Sequence, residues 1–549
     1  MRNTSLIMLL LLSVFAVAHS QQSDHKMKMV EGEKPSGLMP GMGSLHHHVA
    51  TTNPEAQKFF DQGLSFVYAF NHDEAVRSFK RATELDPGMA MAYWGIALAL
   101  GPNINLDVDP EREKAAYDSV QKALEMVAKG PENERAYIEV LAKRYSTDPK
   151  ADLKKLAVDY KTAMGELVRR FPDDLDAATL FAESAMDLRP WQLWSADGKP
   201  AEGTEEIVAV LESVLRRNPN HVGAIHYYVH AVEASPNPER ALAYAPKLAT
   251  LMPAAGHIVH MPAHIFQRTG NYSEAARSNE QAAAADRAYI QATGAKGVYP
   301  LMYYSHNLHF LSVAYNMEGR FADAMKAARQ LEENVAPHLK KMPMLEGFMT
   351  VTPLLLARFQ RWDQIEKLPQ PDASLVASNA VVRFVRGLGL AAKGRTSEAE
   401  AELNALLAAE KRVPADASFG LNPAGKILKI AETVLMARVS AAKGDEKSAI
   451  RLLRDAVELE DLLAYDEPPA WFMPVRESLG GVLLRSGNFA EAEQVFRADL
   501  EKNRRNGRSL FGLLEALKAQ KKVYAASLVQ QEFEMAWKNA DTKLAISDL

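Results

Sequence analysis

Residues 63–87, GLSFVYAFNHDEAVRSFKRATELDP, decide the fold. Gly63, Ala75, Phe79, Ala82 and Pro87 stand at the offsets of a helix–turn–helix unit. Small residues mark where two helices touch, an aromatic fills the contact, and a proline ends the second helix. Further along, Pro219 and Pro253 lie 34 residues apart, one period of such a unit, and each stands where a helix pair should close. GNYSEAARSNEQA (270–282), GRFADAMKAARQL (319–331), GRTSEAEAEL (394–403), GDEKSAIRLLRDA (444–456) and GNFAEAEQVFRADL (487–500) repeat the same turn and small-residue pattern.

A chain built this way is all-α: a tetratricopeptide-type α-α superhelical solenoid of about eleven to twelve helix pairs, running from Asn53 to near Ala540. Its length of 549 residues exceeds a single compact domain and fits an array. The reading divides it into N-terminal repeats (53–300), C-terminal repeats (301–540) and a tail (541–549). Three insertions interrupt the pattern: GPNINLDVDP (101–110), LRPWQLWSADGKPAEG (188–203) and AYDEPPAWFMPVR (464–476). Inserted loops on a solenoid often mark its binding face.

Ahead of the repeats, Arg2, the apolar run Leu6–Ala18 and the small-residue site Ala18-His19-Ser20 read as a cleaved secretory signal peptide over 1–20. The run is too short to span a bilayer. The expected location is therefore the periplasm or the medium, with no membrane span. Residues 21–52 read as a flexible lead-in carrying His25, Met27, Met29, Met39 and Met42, and thioethers beside imidazoles are ligand types that copper prefers. The chain has no cysteine, so it forms no disulfides. A formal charge of −5 without a basic stretch argues against nucleic acid as the main partner.

The histidines are unevenly placed. Seven of 15 fall in the 84 residues from His226 to His309, where uniform placement (15 × 84/549) gives about two. HYYVHAVE puts His226, His230 and Glu233 on one helix face. GHIVHMPAHIF puts His257, His260 and His264 in a narrow stripe, with Pro262 either kinking that helix or opening it. SHNLHF supplies His306 and His309. The repeat register assigns all three groups to first helices of successive units, which line a solenoid's concave groove. Imidazole is the commonest metal ligand, and pairs at i, i+3 or i, i+4 aim at one ion. Eight donors exceed one four-coordinate site, so two ions, or one ion beside acid–base histidines, would use them. The alternative is a set of buried histidines satisfied by Tyr227, Tyr303, Tyr304 or Asn307.

Other groove candidates are His72 in the FNHDEA turn, His48 in the run His46–His48, Glu183 near Trp191, and Glu467 with Arg476 flanking DEPPAW. Each has a plainer reading as packing residue, surface residue or ion pair. The sequence contains no nucleophile elbow, phosphate-binding glycine loop, HExxH helix or Rossmann fingerprint.

The strings YAFNHDEAVRSF, MAYWGIALALGPNIN, HYYVHAVEASP, GHIVHMPAHIF, MYYSHNLHF, DEPPAWFMPVR and NGRSLFGL resemble those of a large group of exported bacterial tetratricopeptide-repeat proteins. The resemblance runs from about His46 to beyond Leu514. It implies fold and export, and no activity.

Three functions compete. The first is a metalloenzyme of the groove, with copper favoured over zinc or iron. Oxidative chemistry would involve Tyr303 or Tyr304; a zinc hydroxide would use Glu233 as base. The second is a metal carrier. The third is a peptide- or protein-binding scaffold. A small-molecule or peptide substrate and a protein partner are both compatible with the sequence. By this reading the aromatic insertions lie elsewhere in the array than the histidines.

Overall fold

Phe79 accounts for the glycines of the opening repeat. Its ring fills the contact between helices Pro54–Tyr68 and Ala90–Leu100, where a Cβ on Gly63 or Gly95 would come within 2.7 or 2.4 Å of it. Phe496 does the same between Val475–Arg485 and Gly507–Ala519, facing Gly480 and Gly512 at 2.4 and 2.2 Å. The small residues are therefore a packing requirement that recurs from one end of the array to the other.

The computed structural model describes residues 37–549; the expected signal peptide and the part of the lead-in holding His25, Met27 and Met29 lie outside the described residues. Twelve helix pairs follow one another, from Pro54–Tyr68 with His72–Leu85 to Gly507–Ala519 with Val523–Ala536. Asn53, Asp152 and Asp174 cap helix N-termini with their side chains, as their sequence positions require. The only regular strands among the described residues are Ser418–Phe419 and Asn422–Pro423. Among these residues no helix is long and apolar enough to cross a membrane. One second helix is broken: the fifth pair closes through the 3-10 turns Pro238–Ala243 and Ala245–Lys247 and the short helix Leu248–Leu251. Pro238 and Pro246 deny that stretch the donors of a continuous helix.

Two apolar cores fill the array. One runs from Met42 to Ile265 and the other from Ala263 to Leu549. They meet at helix Pro262–Arg268, earlier than the boundary expected at 300/301, because that helix carries side chains into both.

Residues 37–52 are not a loose lead-in within the described part. Met42 is buried in the first core and Met39 packs against it. The Met39 amide donates to Gln62 Oε1 (2.7 Å), and the Ala254 amide donates to the Gly41 carbonyl (3.1 Å). These two thioethers pack the core and so leave the copper ligand argument to residues outside the described chain.

The C-terminal repeats fold back on the middle of the array. The Tyr272 hydroxyl donates to the Arg504 carbonyl (3.0 Å), and Arg505 Nη1 donates to Asn271 Oδ1 (2.9 Å). Asp541 accepts from the amides of Phe321 and Ala322, both at 2.8 Å, and so caps helix Phe321–Val335 from a distance. The Trp537 ring lies against Gly319 and Gly507, sites where no Cβ fits. This return brings the 464–476 insertion over the histidines of the middle repeats.

Candidate metal centre

Three successive first helices place the histidines: Val222–Val232, the two-part Gly256–His260 and Pro262–Arg268, and Tyr304–Met317. Pro262 both interrupts and opens. Met261 keeps right-handed helical angles (φ −50°, ψ −36°), so the stripe of His257, His260 and His264 survives the missing proline donor. The five-residue π-turn Tyr299–Tyr303 leads into the third helix, an irregularity that tends to occur at functional positions.

Six of the seven histidines converge in two groups of three, all buried but for half-buried His306. In the first, His226 Nε2 lies 3.1 Å from both His230 Nε2 and His257 Nε2. In the second, His260 Nε2 lies 2.7 Å from His264 Nε2 and 3.1 Å from His306 Nε2. The groups adjoin: the rings of His230 and His264 are 5.6 Å apart and those of His257 and His260 5.9 Å, closer than His230 and His257 within one group at 6.3 Å.

The far side of four rings fixes their tautomer. His226 Nδ1 donates to the Tyr68 carbonyl (2.6 Å), His230 Nδ1 to Glu233 Oε1 (2.8 Å), His260 Nδ1 to Asn279 Oδ1 (2.7 Å), and His264 Nδ1 to Glu233 Oε2. With Nδ1 carrying the proton, Nε2 presents its lone pair inward, the orientation that second-shell acceptors impose on metal-bound histidines. His257 Nδ1 has no hydrogen-bond partner.

Burial holds His226, His257, His260 and His306 well below the usual imidazole range, helped by neighbouring imidazoles, and lowers His230 as well. These five are neutral at pH 7 and able to ligate. His264 behaves oppositely: burial opposes its charge, but the carboxylates of Glu233 and Glu467 raise it. Burial works against the Glu233 charge too, yet His264 and His230 hold that carboxyl down. Burial raises the Glu467 carboxyl to about 7 against the pull of His264, so the buried pair is relieved either by a proton on Glu467 or by a cation beside it, an imidazolium or a metal ion.

Sequence reasoning missed how the insertions converge here. Ile104 of the first insertion, Trp191, Leu193 and Trp194 of the second and Tyr465 of the third share with His230 and Glu233 the walls of a cavity of about 20 Å³. The Trp191 ring stands edge-on to His230 at 5.5 Å, and its backbone is left-handed (φ 59°). Glu467 Oε2 comes within 2.8 Å of His264 Nδ1. The expectation that the aromatic insertions lie elsewhere is therefore corrected: residues of all three line a cavity with His230 and Glu233. Only the unusual length of those loops could have signalled this.

The remaining candidates separate. His309 is half-buried between Phe348 and Phe472, with Nε2 unpartnered, and joins neither group. Tyr303 meets His257 edge-on at 5.0 Å, and burial raises its phenol to about 12. Tyr304 is buried in the second core. His72 is buried beside Asn103, 3.3 Å away, with Phe70 between it and the groups, and burial lowers it to about 3. Glu183 is buried beside Asp187 and Arg144, and burial raises its carboxyl. His48 is exposed, whereas its neighbour His47 pairs with Asp176 at 2.7 Å. Arg476 makes a two-pronged ion pair with Asp461 (2.7 and 2.6 Å), leaving no fork for a substrate carboxylate. Glu233 has both oxygens committed to histidine Nδ1 atoms, the geometry of an orienting acceptor instead of a free base.

No family model matches the chain, and no curated protein matches it in sequence. Among solved structures it is similar to the human IFIT1 dimer with m7Gppp-AAAA (14% identity, TM-score 0.35), over 89% of this chain and 91% of that chain. It is similar also to yeast Tom70 (13% identity, TM-score 0.31), over 87% and 96%. A third likeness is to the TPR domain of P58(IPK) (13% identity, TM-score 0.23), over 85% and 99%.

Proposed function

We propose that this protein is an exported tetratricopeptide-repeat metalloprotein whose groove holds two metal ions side by side, each on three histidines. The observation that carries the reading is the set of six inward Nε2 atoms. His226 and His230, with their protons fixed on Nδ1, would face lone pair to lone pair at 3.1 Å, and His260 and His264 at 2.7 Å, a repulsive arrangement unless a cation or proton stands between them. Three imidazoles per ion leave coordination positions open, the feature that separates a reactive site from a closed structural one. An all-imidazole donor set without thiolate suits copper first, with zinc or iron behind it. The phenol of Tyr303 beside His257 favours oxidative chemistry over hydrolysis, since Glu233 has no oxygen free to act as base; the cavity of about 20 Å³ has room for a water-sized ligand.

A peptide-binding scaffold is less well supported, because the stretch of groove that carries the histidines is already covered by the chain's own insertions. The reading is tested by elemental analysis of the exported protein. Two metal equivalents are expected per chain, falling to one in His230→Ala and to one in His260→Ala. Metal-free wild-type protein, or uptake unchanged in both variants, overturns it.

A further inference from the structure

The two histidine groups differ on their outer side. In the group of His226, His230 and His257, the Nδ1 partners are one main-chain carbonyl and one carboxylate oxygen of Glu233, and the third ring has none. In the group of His260, His264 and His306, Asn279 serves His260, while His264 Nδ1 faces two buried carboxylates at once, Glu233 Oε2 and Glu467 Oε2. The Nδ1–H is directed to Glu233, so Glu467 Oε2 receives no hydrogen bond despite lying 2.8 Å away. Its other oxygen accepts from the Tyr465 hydroxyl. Arg268, which donates to the carbonyls of Glu233 (2.9 Å) and Ser235 (3.2 Å), lies over the Tyr465 ring at 5.6 Å and steadies the loop.

Glu467 arrives from more than 200 residues away, on the loop that the fold-back lays over the histidines. A buried carboxylate oxygen that receives no hydrogen bond is unfavourable unless positive charge offsets it. Without a metal the His264 imidazolium offsets it; a metal that displaces the Nε2 proton would supply the charge through the ring instead. A carboxylate behind a ligating imidazole in turn makes it a stronger donor, and removing such a partner typically weakens metal binding about 10–100-fold.

Resting on the two-ion reading above, we infer that Glu467 is a positioning residue that makes the two metal positions inequivalent, so that the His260–His264–His306 position binds a dication more tightly and fills first. The position of His226, His230 and His257, with a single carboxylate oxygen behind it, is the softer one. The fold-back of the C-terminal repeats delivers Glu467 and thereby sets the difference.

The test is a calorimetric titration of the metal-free full-length protein with Zn²⁺ against a competing chelator. Wild type should show two steps, with His260→Ala losing the tighter and His230→Ala the weaker. Glu467→Gln, which keeps shape and removes charge, should weaken the tighter step about 10–100-fold and leave the other unchanged. Glu467→Asp should recover part of the loss. Tyr465→Phe, which frees Glu467 Oε1 without touching the charge, should weaken the same step by less; it serves as the second probe if Glu467→Gln loses its helical circular dichroism. Two wild-type steps that stay unchanged, or fall alike, in Glu467→Gln and Tyr465→Phe overturn the inference and leave the two-ion reading standing. Wild type that takes up no zinc overturns both.

Discussion

Asp286 shows at the scale of one residue how the groove is held. Its Oδ1 accepts from the Tyr299 hydroxyl (2.9 Å) and its Oδ2 from Asn307 Nδ2 (2.6 Å), which pins the π-turn and the helix bearing His306. Burial pushes the carboxyl from 3.8 to about 7 against those donors. The folded state therefore keeps this proton longer than the unfolded state. Stability contributed by the group is complete below about pH 4, declines as pH rises to about 7, and is level above. Three pH units correspond to roughly 4 kcal/mol. Asp286→Asn should remove that slope, so urea midpoints at pH 4, 5.5 and 7 should converge relative to wild type. A variant that keeps the wild-type slope would place the titration elsewhere.

At the scale of the helix, Gly256 is the element's tightest point. A Cβ there would fall 1.9 Å from Asp286 Oδ1, so helix Gly256–His260 can approach Tyr272–Thr293 only because the residue is glycine. Gly256→Ala should cost about 1–3 kcal/mol in chemical denaturation. It should also displace His257, with weaker metal uptake at the first position only. Equal stability would mean the two helices have slack that this contact denies. This scale is also where the sequence was most legible. Gly63, Phe79 and Pro87 announce a helix pair because their packing is local to one unit, and HYYVHAVE and GHIVHMPAHIF announce ligand stripes because helical spacing alone puts them on one face. His309 could not be separated from His306 this way. The two differ by three residues and lie near one another on the helix, and only the aromatic pair Phe348 and Phe472 turns one of them aside.

At the scale of the molecule, the array closes on itself. The pairing of Glu467 with His264, the stacking of Tyr465 under Arg268 and the cap of Asp541 on Phe321 span about 200 residues each, a range at which no repeat period carries information. The second of the two apolar cores supplies the loop that covers the site built largely at the edge of the first. The resulting groove is enclosed, lined by imidazoles and aromatics, and served by both halves of the solenoid. Its central claim is that two ions belong there. The most direct test is anomalous diffraction at the copper and zinc absorption edges from crystals of copper- or zinc-loaded protein. Two peaks are expected in the groove, one at about 2.0–2.2 Å from the Nε2 atoms of His226, His230 and His257 and one equally close to those of His260, His264 and His306. A groove without anomalous density, or density confined to His47 and Asp176, would contradict it.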